Sequence, residues 1–179
     1  TEDFFDFYRK KMIYKDAKPN DTHYALAELE KREKLKAIIT QNIDGLHQMA
    51  GSKNVLELHG SIHRNHCIKC NKFFDLDYVI KSKELIPKCD KCNGLVKPDV
   101  VLYEESLDTD VLNTSVEYIR NADILIVGGT SLVVYPAAGL VDYFNGSNLV
   151  LINKSTTPYD NKANIIIHDS IGKVLKSIL

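Results

Sequence analysis

The four cysteines of the chain stand in two pairs, Cys67-Ile68-Lys69-Cys70 and Cys89-Asp90-Lys91-Cys92, with 18 residues between the pairs. Two residues between thiolates let one tight turn aim both sulfurs at a single metal, and two such turns complete a tetrahedron, so the spacing reads as a structural zinc site. Four thiolates leave no open coordination position, so such an ion holds structure and does not activate water. The competing reading is a pair of disulfides or a redox Cys-x-x-Cys. The lack of a spare cysteine, and of a basic then apolar export signal at the start, favours zinc and a cytoplasmic setting.

A second set of polar groups follows short Ile/Leu/Val-rich runs at 36–40, 123–129 and 148–153. After the first comes Thr40-Gln41-Asn42-Ile43-Asp44-Gly45-Leu46-His47, after the second Gly128-Gly129-Thr130-Ser131, and after the third Asn153-Lys154-Ser155. Such runs, without the alternation of a half-wet sheet, suit parallel strands buried on both faces, and in open α/β sheets ligands sit at the carboxyl ends of the strands. Small residues there let backbone amides approach a phosphate or a ribose. Three polar strand ends together make a nucleotide-site pattern, although the chain has no Gly-x-Gly-x-x-Gly fingerprint.

The elements that must position these groups follow from periodicity. Residues 1–14 carry aromatics at helical spacing, and Asn20-Asp21-Thr22 caps a second helix from His23 to about Glu33. Further helical segments fall at 44–50, 109–121, 136–144 and 170–179, and a fourth apolar run at 164–168. The expected fold is α/β, a Rossmann-like doubly wound parallel sheet with a small inserted zinc-binding lobe and a helical segment. The expected domains are a helical module at 1–34, a Rossmann-like NAD-binding domain at 35–60 and 98–179, and the zinc lobe at 61–97. At 179 residues, 44% hydrophobic and 26% charged, the chain affords one packed domain with a satellite and is neither collagenous nor disordered. Its net charge of -1 gives no overall attraction for nucleic acid or an anionic membrane. The zinc lobe has eight Lys/Arg against four acids, but without aromatic interleaving this surplus reads as a solvated face, so direct nucleic-acid binding is not expected. The uncharged stretch 124–141 is broken by Gly128, Gly129, Pro136 and Gly139, and reads as a strand and loop and not as a membrane span.

Taken in order, Thr40-Gln-Asn-Ile-Asp-Gly-Leu-His-Gln-Met-Ala-Gly51, Leu58-His-Gly60, the two cysteine pairs, Lys97-Pro-Asp-Val-Val-Leu-Tyr-Glu-Glu105 and Gly129-Thr-Ser-Leu-Val-Val-Tyr-Pro136 resemble the sirtuin family of NAD-dependent protein lysine deacylases, most closely its bacterial members. The resemblance implies NAD as co-substrate, structural zinc on Cys67, Cys70, Cys89 and Cys92, and acetylated proteins or peptides as partners. It implies His59 as the general base toward a ribose hydroxyl, a task suited to a side chain whose pKa lies near working pH. Asn42 would position the ribose and a water, Gln41 would bond the nicotinamide ribose, and Ile43 with Asp44 would hold the nicotinamide amide. Gly129, Thr130 and Ser131 would face the phosphates and the adenosine ribose, Asn153 the adenosine ribose, and Ile171 the adenine. Val101 and Tyr103 would line the acyl-lysine tunnel, with Val134 beside the substrate peptide, which adds as a strand. The alternative is a non-catalytic, zinc-stabilised NAD or ADP-ribose binding module. The other histidines, His63 among them, read as structural or solvated.

Three departures from the family pattern stand out. Tyr103-Glu104-Glu105 replaces Phe-Gly-Glu, trading a glycine for a negative charge and favouring basic peptide flanks. The Tyr-x-x-Arg of relatives that remove acidic acyl groups would fall at Phe5 and Tyr8, so acetyl or longer aliphatic groups are expected, since a succinyl carboxylate finds no guanidinium partner. The family's opening strand and Gly-Ala-Gly turn are not among these residues, which reads either as part of a longer natural chain or as a truncated relative.

Overall fold

The structure is a computed structural model that describes residues 1–102 and 104–179. In chain order its elements are α1 (Glu2–Phe7), α2 (Asp21–Lys31), β1 (Ile38–Thr40), α3 (Leu46–Met49), β2 (Val55–Glu57), β3 (Gly60–Cys67), β4 (Phe73–Phe74), α4 (Leu76–Lys81), β5 (Val96–Val100), α5 (Thr109–Arg120), β6 (Ile124–Gly128), β7 (Asn148–Ile152), β8 (Ile165–Ile167) and α6 (Ile171–Lys176). They fall into two compact units. One comprises Thr1–Lys18, Asn42–Gly45 and His59–Ser106, and the other Pro19–Gln41, Leu46–Leu58 and Leu107–Leu179.

In the first unit the aromatic spacing of the opening residues buries Phe5 and Tyr8 in one core with Ile62, Phe74, Val79 and Val96. The single helix expected over 1–14 instead changes at Tyr8 to a π-helical turn, Tyr8–Met12. The wider turn accompanies the complete burial of Tyr8, and that burial pushes its phenol pKa up. The sheet here is antiparallel, in the order β4-β3-β5. Its β3–β5 pairing runs Gly60 with Val100 and Ser61 with Asp99, then resumes at Asn65 with Pro98, so residues 62–64 form a bulge.

In the second unit β6, β7 and β8 are parallel neighbours in that order, and β1 pairs in parallel with β2. Leu149 and Leu151 pack with Ala138, Val141 and Tyr159, while Ile152 packs with Ala25 of α2 and Leu175 of α6. Both faces of β7 are thus covered, as a continuous apolar run requires, whereas β6 and β8, expected to be buried on both faces, leave Ile124, Ile126, Ile165 and Ile166 exposed. Asn20 caps α2, its Oδ1 accepting from Thr22 N at 2.9 Å while Asn20 N donates to His23 Nδ1 at 3.1 Å. Asp108 caps α5 with its side chain alone, Oδ1 accepting from Asp110 N and Val111 N, and each such cap stabilises its helix by about 1 kcal/mol. The helix expected over 136–144 is a 3₁₀ segment, Ala137–Tyr143, and that expected over 44–50 shortens to α3. Among the described residues no helix is long and apolar enough to cross a membrane.

Candidate functional site

The metal centre is built from one local structure used twice. In the first turn Lys69 N donates to Cys67 Sγ at 3.4 Å and Asn71 N to Cys67 O at 2.9 Å. In the second, Lys91 N donates to Cys89 Sγ at 3.4 Å and Asn93 N to Cys89 O at 2.9 Å. Asn71 and Asn93 both adopt the left-handed conformation, with φ of 55° and 56°, that closes each turn. The sequence carries this as a repeated Cys-x-Lys-Cys-Asn, a signal that attention to cysteine spacing alone misses.

Sulfur separations are 3.4 Å for Cys67–Cys92, 3.5 Å for Cys70–Cys92 and 3.7 Å for Cys70–Cys89, and all four sulfurs lie within 4.8 Å of one another. A zinc tetrahedron with bonds of about 2.3 Å has edges near 3.8 Å, whereas a disulfide needs about 2.05 Å. The donor set therefore fits structural zinc and not disulfides. Burial pushes the Cys67 thiol up, but the backbone N–H groups of Cys70 and Lys69 and the neighbouring thiols outweigh it and bring the pKa down to about 6. At Cys92 the Gly94 N–H pulls down, yet the adjoining thiols and burial push it up to about 12. Four crowded sulfurs share their protons in this way until a cation displaces them.

The loop after β1 and the turn after β2 carry the second set of expected residues. Because the two strands are parallel, Gln41 and Leu58 leave the same end of the pair, and Leu58 N donates to Thr40 O at 2.9 Å. Within the first unit, Ile62 N donates to Ile43 O at 3.0 Å and Val101 N to His59 O at 3.1 Å. Gly60 beside His59 has φ of +74°, and a Cβ there would meet Asp99 O at 2.0 Å, so only glycine lets β5 press against this turn. The Asn42–Asp44 loop is thereby tied, through Ile43 O, to the strand that begins one residue after His59.

In the second unit the ends of β6, β7 and β8 carry the remaining expected residues. Gly129 N donates to Ile152 O at 3.2 Å and Asn153 N to Ile167 O at 3.1 Å, which fixes Gly129-Thr130-Ser131 and Asn153 at one sheet edge. Gly129 has φ of +65° and open space where a side chain would be, whereas a Cβ on Gly128 would meet Ile171 Cδ1 at 2.2 Å. Ile171, at the start of α6, thus lies directly against the turn. Thr130 Oγ1 accepts from Leu132 N at 3.2 Å, and Asn153 Nδ2 donates to Ser155 O at 3.0 Å.

Of the expected peptide-side residues, Val101 is half-buried just past β5 and Val134 is exposed. Tyr103 lies outside the described residues. Glu104 has φ of +71°, so the position where the family pattern has glycine keeps a conformation that favours glycine. Glu105 Oε2 accepts from Leu102 N and from Lys97 Nζ, both at 3.0 Å. The Leu102 N–H foremost, then the Lys97 ammonium, holds its carboxyl below the ordinary range.

Comparison with known proteins decides the lineage. The sequence pattern of the Sir2 family matches residues 1–136. The chain belongs to the Sir2 family. It is 70% identical over 179 residues to a Clostridium acetobutylicum protein and 69% identical to one from Clostridium tetani, both named NAD-dependent protein deacetylase. These alignments cover 100% of this chain and 73% and 72% of those proteins. Among solved Sir2 structures, "Sir2-p53 peptide-NAD+" matches with a TM-score of 0.91 at 38% identity, covering 99% of this chain and 76% of that one. "Structure of Sir2Tm bound to a propionylated peptide" matches at 0.92 and 39%, covering 99% and 77%. The Sir2 likeness extends over the zinc turns, the Gln41–Asp44 loop and the β6–β8 edge alike.

Proposed function

We propose that this chain carries the catalytic and zinc-binding part of an NAD-dependent protein deacetylase, which transfers an acetyl or other aliphatic acyl group from a protein lysine to ADP-ribose and releases nicotinamide. One observation carries the reading: the Asn42–Asp44 loop is bonded, through Ile43 O and Ile62 N, to the strand that begins at Gly60, the residue after His59. A general base and the polar groups for a nicotinamide amide are then held on one rigid frame, as a reaction at the nicotinamide ribose requires.

NAD supplies the ribose carbon that accepts the acyl oxygen as nicotinamide departs. The His59 imidazole takes the proton of a ribose hydroxyl, with Val101 N fixing the backbone behind it. Asn42 orients the ribose and a water, and Gln41 bonds the nicotinamide ribose. Asp44 accepts from the carboxamide nitrogen, which a hydrophobic residue could not do, and Ile43 packs on the ring. Gly129, Thr130 and Ser131 contact the phosphates and adenosine ribose, a role supported by the open space at Gly129. Asn153 serves the adenosine ribose, Ile171 the adenine, Val101 and Tyr103 the acyl chain, and Val134 the peptide. Cys67, Cys70, Cys89 and Cys92 hold zinc, and thiols at metal spacing without disulfides support a reducing, cytoplasmic setting.

The test is mass spectrometry of an acetyl-lysine peptide incubated with NAD and the chain, seeking deacetylated peptide and O-acetyl-ADP-ribose. His59→Ala should lower nicotinamide release by about 10²-fold or more with zinc content unchanged. NAD binding without peptide-dependent turnover would instead identify a binding module.

A further inference from the structure

We propose that His63 is a positioning residue for the nicotinamide loop, holding the Asp44 carbonyl through its Nε2–H. The inference rests on the reading of Asp44 as a nicotinamide contact. His63 Nε2 lies 3.0 Å from Asp44 O, and since a carbonyl only accepts, Nε2 carries the proton. Next to it Ile62 N donates to Ile43 O at 3.0 Å, so consecutive residues of β3 clasp consecutive carbonyls of the loop.

This clasp exists because β3 is bulged there. Ser61 pairs with Asp99 and Asn65 with Pro98, so 62–64 stand outside the β3–β5 register: Ile62 and His63 turn toward the loop, while the Arg64 side chain reaches back to Asp99 Oδ2 at 2.8 Å. His63 N donates to Ser61 Oγ at 3.2 Å, which sets the start of the bulge. Contact on the loop side is close: Gly45 has φ of +70°, and a Cβ there would meet His63 Cδ2 at 2.8 Å. The Ile43 carbonyl is served by a backbone N–H that any residue but proline offers. The Asp44 carbonyl is served by a side chain, so its anchorage depends on which residue stands at position 63.

Loss of that donor removes one of the bonds that orient the peptide unit between Asp44 and Gly45, and a smaller fraction of molecules then presents the Asp44 carboxylate correctly. Affinity falls by that fraction, while the chemistry of molecules that do bind is unchanged. The perturbation is that of one net hydrogen bond, about five- to tenfold in an equilibrium constant.

The experiment compares His63→Ala, His63→Gln and His63→Phe in the full chain, by NAD titration calorimetry and by steady-state kinetics with an acetyl-peptide. His63→Ala is expected to raise the Kd and KM for NAD, and the inhibition constant of nicotinamide, about five- to tenfold with kcat within twofold. His63→Gln, whose amide reaches a similar distance and can donate, should recover most of the loss, and His63→Phe, which fills the space without donating, should not. Unchanged NAD affinity in His63→Ala overturns the proposal, as does rescue by phenylalanine or a parallel fall in kcat and thermal stability. If the unaltered chain binds NAD but turns over no peptide, the deacetylase reading fails, and the calorimetric comparison still decides the role of His63.

Discussion

Replacing Gly60 by alanine tests the idea that the His59 turn is held by backbone packing. The new Cβ meets two penalties. At φ of +74° an L side chain is strained, which costs about 1 to 2 kcal/mol. The Cβ would also fall 2.0 Å from Asp99 O, and since this neighbour is main chain, β5 must retreat by about 1 Å to reach even the 3.0 Å below which real contacts essentially never fall. That retreat loosens the Gly60–Val100 pairing and the Val101 N to His59 O bond, at about 1 kcal/mol each. The sum is about 3 to 4 kcal/mol, or roughly 6 to 16 °C in Tm for a chain of this size. Because His59 moves with the strand, kcat/KM should fall by an order of magnitude or more. Gly51 supplies the control: its φ is +107° with nothing within 4 Å, so Gly51→Ala carries the conformational penalty alone. Differential scanning calorimetry and deacetylation kinetics on both variants give the answer. Equal losses of Tm, or a Gly60→Ala enzyme with near-normal kcat/KM, would refute the packing argument.

Three further outcomes follow from the geometry. Chelation of zinc, or Cys67→Ala, should unfold the β3–β5 lobe, because binding to such sites is worth about 10 kcal/mol or more; retention of one zinc per chain in Cys67→Ala would contradict the four-thiolate assignment. Glu104→Gly should stabilise the chain by up to about 1 kcal/mol in urea titration by relieving the left-handed strain, and should weaken any preference for acetyl-peptides with basic flanks. The Glu105 carboxyl, held below its ordinary value of 4.5, binds its proton more readily in the unfolded chain, so its contribution is present above that pH and is lost as pH falls through the depressed folded value. The urea midpoint of Glu105→Gln should accordingly lose less than that of the parent between neutral and acidic pH, and identical pH profiles would count against the Lys97–Glu105 contact.

Much of the site was legible in the sequence because its chemistry is local. Two cysteine turns each need only adjacent residues, and the polar groups after β1, β6 and β7 follow from the rule that parallel strands expose ligands at their carboxyl ends. Asn20 as a helix cap is local for the same reason. What escaped depends on partners distant in sequence. His63 gains its role from a bulge created by mismatched pairing with β5, and nothing within a few residues of it signals that. The short strands β2, β4 and β5 carry no run long enough to stand out, yet β5 supplies the Asp99 carbonyl that makes Gly60 obligatory. The change to a π-helical turn at Tyr8 accompanies packing of its ring in a core drawn from β3, β4 and α4, none of which lies near it in sequence.

The pairing of Gly60 with Val100 bears on how such a chain can diversify. The polypeptide enters the zinc lobe at one residue and leaves it at the residue directly opposite, so the part of the lobe beyond the Ile62 and His63 contacts returns to where it set out. Residues may be added to, removed from or exchanged at the outer end of that lobe over evolutionary time while the Gly60–Val100 pair, the histidine just before it and the Ile62–His63 contacts stay where they are. A lineage could in this way acquire a new outer surface, and with it a new set of acetylated clients, without revising its chemistry.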